Sequence, residues 1–90
     1  MNAELRELLR VGILTALVAS GKYTPAAGVL HFRLKRGGFP ELTAEELAVE
    51  LQYLLDKGLV VETDKRISPE NKQYRITAEG RDFLAQEGLA

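Results

Sequence analysis

Apolar residues recur at helical spacing through the first part of the chain. Between residues 3 and 20, Leu5, Leu8, Leu9, Gly12, Ile13 and Ala16 fall along one side. That repeat is what an α-helix needs to bury a face. Glu4, Arg6, Glu7 and Arg10 mark a wet side in its first half. Past Arg10 the wet side disappears, because Val11, Leu14 and Val18 lie opposite the main stripe. A helix that is apolar all round must be covered all round. The cover is either a later helix of the same chain or a second copy. Ser20-Gly21 supplies the stop.

The next elements follow from local signals. In Thr24-Pro25 the threonine is expected to cap and the proline to suit the first helical position. A second helix then runs to about Arg36, with Ala27, Leu30 and Leu34 inward and Gly37-Gly38 as its end. Phe39–Leu42 is a connector. Thr43-Ala44-Glu45-Glu46 is a capping box, which starts a third helix over Ala44–Lys57. Leu47, Leu51, Leu54 and Leu55 are expected inward, and Gly58 closes the helix.

After Gly58 the period changes from helical to extended. Leu59–Asp64 is rich in β-branched residues and reads as a strand. Residues 65–71 carry turn formers, and Lys72–Thr77 reads as the return strand of a hairpin. Thr77 ends that strand in extended geometry and is expected to cap a last helix from Ala78 to about Glu87. No loop is needed at that joint.

Composition narrows the class. The 90 residues form one domain, 1–90, and the apolar fraction of 46% with 28% charged suits a globular chain. The absence of cysteine excludes disulfides and thiolate metal sites. The longest apolar run, Val11–Ala19, is too short to span a bilayer and no targeting signal is read, so a cytoplasmic home without membrane contact is expected. No catalytic set is found. His31 lies beside the apolar stripe of the second helix and reads as a packing residue. Ser20 and Ser68 have no candidate base nearby, and Glu46 and Glu50 lack partners for a metal. Gly37-Gly38 lacks the frame of a phosphate loop. Neither an enzyme nor a cofactor or metal is expected.

Two stretches carry a family likeness. Leu54–Val60 (LLDKGLV) looks like the end of a third helix entering a wing, and Tyr74–Leu84 (YRITAEGRDFL) looks like a second wing strand running into a last helix. Together and in this order they resemble the winged helix-turn-helix superfamily over nearly the whole chain. The likeness is strongest to small MarR- and PadR-like bacterial or phage regulators, and looser to short winged-helix proteins of Mu-like prophages. It implies an α+β, mainly helical fold: a three-helix core, a two-stranded wing and a C-terminal helix. It also implies a transcriptional regulator that binds double-stranded DNA as a homodimer.

In this superfamily the third helix enters the major groove and the hairpin reaches the backbone or minor groove. On a helical wheel the outward face of the third helix would hold Glu45, Val49, Gln52, Tyr53 and Asp56, flanked by Glu46, Glu50 and Lys57. Gln52 suits adenine, Tyr53 a phosphate and Val49 a thymine methyl. Glu45 and Asp56 would repel phosphates, and a solvated face is the alternative. Cations gather at Arg33, Lys35 and Arg36, and on the wing at Lys65, Arg66, Lys72 and Arg75. They are candidates for phosphate contact, or ordinary solvation. Ile67 among them is expected to fold back on the sheet. The homodimer would use Val11, Leu14 and Val18 of the first helix with Phe83 of the last. The net charge of −1 gives no basic excess, which keeps open a second reading as a protein-interaction module.

Overall fold

The computed structural model describes residues 1–63 and 72–88. Its order is α1 (Ala3–Ala19), α2 (Ala27–Arg36), α3 (Ala44–Asp56), β1 (Val60–Thr63), β2 (Gln73–Ile76) and α4 (Ala78–Gln86). The expected elements are present, with boundaries shifted by a residue or two. Lys65, Arg66 and Ile67 lie outside the described residues.

Local chemistry explains the boundaries. Asn2 caps α1 by accepting from the Leu5 amide at 2.8 Å. The capping box of α3 forms as expected: Thr43 Oγ1 accepts from the Glu46 amide at 3.1 Å, and Glu46 accepts from the Thr43 amide at 3.0 Å. At the other end Gly58 takes a positive φ of 75°. That lets the Leu59 amide reach the Leu54 carbonyl at 3.0 Å and the Gly58 amide reach that of Leu55 at 3.1 Å. These two bonds make a Schellman end, which points the chain straight into β1.

The expected cap of α2 is corrected. α2 starts at Ala27, and its N-cap Ala26 offers no side-chain bond. Thr24 donates its hydroxyl instead to Gln73, far along the sequence. Ala26 bridges Gln73 in antiparallel fashion, and the Tyr74 amide donates to the Pro25 carbonyl at 3.0 Å. The segment before α2 thus runs along the outer edge of β2.

β1 and β2 pair antiparallel from Val60↔Ile76 to Thr63↔Gln73. Val60, Tyr74 and Ile76 turn inward onto the helices. Thr77 then locks the sheet to the helices. Its hydroxyl donates to the Gly58 carbonyl at 2.7 Å and accepts from the Gly80 amide at 3.0 Å, and its own amide donates to the Leu59 carbonyl at 3.0 Å. Gly80 is required where α4 crosses β2. An added Cβ would collide with the Leu59 carbonyl oxygen and stand 2.6 Å from Ile76 Cγ1.

One core joins all the elements: Leu9, Ile13, Leu14 and Leu17 of α1, Leu30 and Leu34 of α2, Leu47, Leu51 and Leu54 of α3, and Leu84 of α4, with the inward wing residues. The phase of α1 differs from the expected stripe. Leu5 and Leu8 are 43% and 54% exposed, whereas Leu14, expected on the free face, is fully buried. α1 is rotated so that its later leucines enter the core. Its early ones face outward, Leu8 into the groove between α1 and α4.

Candidate nucleic-acid interface

α3 presents an exposed strip of Glu45, Ala48, Val49, Gln52 and Asp56. The strip exists because Leu47, Leu51 and Leu54 hold the opposite side in the core. Gln52 donates to Asp56 Oδ1 at 2.9 Å, one turn along. Val49 is 55% exposed. No cation lies on this strip.

A cleft separates α3 from the wing. Ala48, Gln52 and Leu55 line one wall, and Glu62, Lys72 and Tyr74 the other. Lys72 reaches across the two strands to Glu62 at 3.7 Å, with both side chains largely in solvent. Such an exposed pair holds weakly, typically by less than about 1 kcal/mol, so the ammonium can exchange partners readily. Burial, and then the Glu62 carboxylate, push the Tyr74 phenol above its ordinary range, so it faces the cleft as a neutral hydroxyl. Gln52 and Lys72 are therefore brought to one place, with Val49 exposed beside them.

Tyr53 is not on the exposed strip. It is half-buried on the side facing α1, where the Arg10 guanidinium stacks 3.7 Å from its ring centroid. Lys57 approaches the same ring at 5.7 Å. Glu50, expected as a flank of the outward face, is buried instead at 3% exposure. Arg6 Nε donates to Glu50 at 2.9 Å and Arg10 Nε at 2.7 Å. The physical reason is the side of α3 they share. Glu50 and Tyr53 stand one turn apart, which gives them a common partner, Arg10 of α1.

The remaining sequence candidates divide. Arg33, Lys35 and Arg36 are exposed, but none lines the α3–wing cleft. Arg33 donates to Ser20 Oγ at 2.9 Å and lies 5.9 Å from the Tyr23 ring, while Arg36 lies 5.5 Å from the Phe32 ring. Arg75 is exposed on the outer face of β2, opposite Val61. His31 does more than pack: its Nε2 donates to the Leu42 carbonyl at 2.6 Å, tying α2 to the connector before α3.

On α1, Val11 lies in a second groove together with Leu8, Tyr53, Leu59 and Phe83, where α1 meets α4 and the end of α3. Val18 is exposed but does not line this groove, and Leu14 is in the core. Among the described residues no cluster of His, Asp or Glu could hold a metal ion, and no helix is long and apolar enough to cross a membrane.

This arrangement is the winged helix-turn-helix fold: α2 and α3 with their connector, a two-stranded wing, and α1 and α4 as support. A solved PadR-like transcriptional regulator of Bacillus cereus has the same architecture, with a TM-score of 0.75 at 21% identity over 94% of this chain and 82% of that one. The sequence matches no protein-family model and no curated protein.

Proposed function

We propose that the chain is a DNA-binding winged-helix protein of transcription regulation, working as a homodimer. The reading is carried by the likeness in fold to a PadR-like transcriptional regulator over 94% of this chain. The cleft between α3 and the wing is the proposed duplex contact. Gln52 would offer an amide to a base edge, Val49 a methyl contact, and Lys72 a charge to the backbone. Lys65 and Arg66, next along the wing in sequence, would add two more cations.

A homodimer suits this reading, because two modules on two half-sites multiply the weak affinity of a nearly neutral monomer. Leu8, Val11 and Phe83 of the α1–α4 groove supply the proposed seam. Leu14 does not contribute to it.

The acidity of the α3 strip favours a second reading. Glu45 and Asp56 flank the proposed base-reading residues, which suits a protein-docking module better than a tight duplex reader. Fluorescence anisotropy with mixed-sequence duplexes at about 50 and 200 mM salt separates the two. Binding that weakens steeply with salt, and further on replacing Lys65 and Arg66 by alanine, supports the regulator. No binding at the lower salt supports the docking module.

A further inference from the structure

The outward face of α2 carries features that the cleft leaves unused. Phe32 is 62% exposed and Tyr23, just before α2, is 53% exposed. Phe32 points away from Leu30 and Leu34, the buried side of α2, and Arg36 stands one turn beyond it. Arg33 and Lys35 lie to either side of this centre on the helix. Each ring has an arginine beside it, Arg33 at 5.9 Å from Tyr23 and Arg36 at 5.5 Å from Phe32. Among the described residues Arg33, Lys35 and Arg36 form no ion pair.

Exposing a phenylalanine this far leaves apolar surface in water with no return in stability. The surrounding chemistry is that of an interface core, where aromatic rings and arginine are enriched and charged carboxylates depleted. We propose that this face of α2 is a docking surface for an acidic protein segment bearing an aromatic or aliphatic anchor. The anchor would pack on Phe32, with Tyr23, just before α2, beside Arg33. Carboxylates on either side of it would take Arg33 and Arg36, whose planar forks bind carboxylates through two bonds at once. A nearby ring gives each guanidinium a face to lie over, Tyr23 for Arg33 and Phe32 for Arg36.

A protein segment is favoured over a nucleic-acid single strand by shape. Strand binders track the backbone along a positively charged groove with stacking rings. Here Phe32 stands on the convex side of a helix and Tyr23 on the segment before it. The surface is separate from the α3–wing cleft, so the proposal stands whether or not DNA is bound.

The test is selection of short random peptides displayed on phage against the intact chain, followed by anisotropy with the selected peptides. The expected peptides are rich in Asp and Glu around an aromatic or aliphatic residue. Phe32→Ala and the double change Arg33→Glu, Arg36→Glu should each weaken them on the order of tenfold or more. Both variants should keep the wild-type circular dichroism spectrum, since all three side chains lie in solvent. Peptides with no acidic bias, or unaffected by these changes, would overturn the proposal. So would a labelled mixed-sequence single strand that binds through the same residues while acidic peptides do not.

Discussion

Glu50 of α3 accepts a 2.7 Å bond from Arg10 of α1, and the same guanidinium stacks on Tyr53 one turn further along α3. Arg6 takes the other carboxylate oxygen at 2.9 Å. The carboxylate is 4% exposed, against 43% and 21% for the two arginine side chains. The arginines can rehydrate if the clamp is lost, but the carboxylate cannot. The clamp therefore ties α3 to α1 through a buried carboxylate.

Removing the clamp should cost stability without changing the fold. Glu50→Ala is expected to lose about 2–3 kcal/mol in urea unfolding, the range for a buried charged hydrogen-bonding partner. Arg10→Ala leaves the carboxylate with Arg6 alone and should also destabilise. A double-mutant cycle between the two positions should return a coupling energy above about 1 kcal/mol. Additive effects would mean the contact is not formed in solution.

Gly80→Ala tests the crossing of α4 over β2. Alanine gains about 1 kcal/mol of helix propensity over glycine in a free helix. Here its Cβ would meet the Leu59 carbonyl and Ile76. The expected outcome is net destabilisation by about 1–3 kcal/mol on thermal or urea unfolding. A stabilised variant would show that α4 sits further from the sheet.

The capping box has a pH signature. Bonds from the Thr43 backbone amide, then its hydroxyl, hold the Glu46 carboxyl below its ordinary value of 4.5. The unfolded chain binds that proton more tightly than the folded one. The stabilisation is thus complete above about 4.5 and is lost as pH falls through the lowered folded value. Glu46→Gln should remove this part of the acid dependence while keeping the helix. If wild type and variant lose stability in parallel below that pH, the box does not carry the effect.

The caps and turns were legible in the sequence because their partners lie within a few residues: Thr43 with Glu46, Thr77 with Gly80, Gly58 with the end of α3. The rotation of α1 was not. Leucine and valine occur on several sides of that helix, so its pattern fits two phases, and only the packed core chooses Leu14 over Leu5 and Leu8. Glu50 and Tyr53 were misplaced for a related reason. Their partners Arg6 and Arg10 are about forty residues away in sequence, and a polar residue on a wheel reads as outward unless its partner is known. Thr24 followed the same rule: a local cap was expected, and Gln73, 49 residues on, took its hydroxyl.

The corrected phase of α1 separates two variants that the helix pattern alone would equate. Leu14→Glu places an unpaired charge in the core and is expected to unfold most of the population, seen as loss of helical circular dichroism. Leu8→Glu should keep the fold and elute as a monomer. A dimeric wild type with a dimeric Leu8→Glu would put the seam elsewhere, and a monomeric wild type would remove the homodimer from the proposed function.

We propose that duplex DNA meets the cleft between α3 and the wing. Titration of the isotope-labelled chain with a short duplex, followed by amide chemical shifts, tests it most directly. The largest changes should fall on Val49, Gln52 and Lys72, with Phe32 and Tyr23 little moved. Shifts confined to α2, or none at low salt, would contradict it.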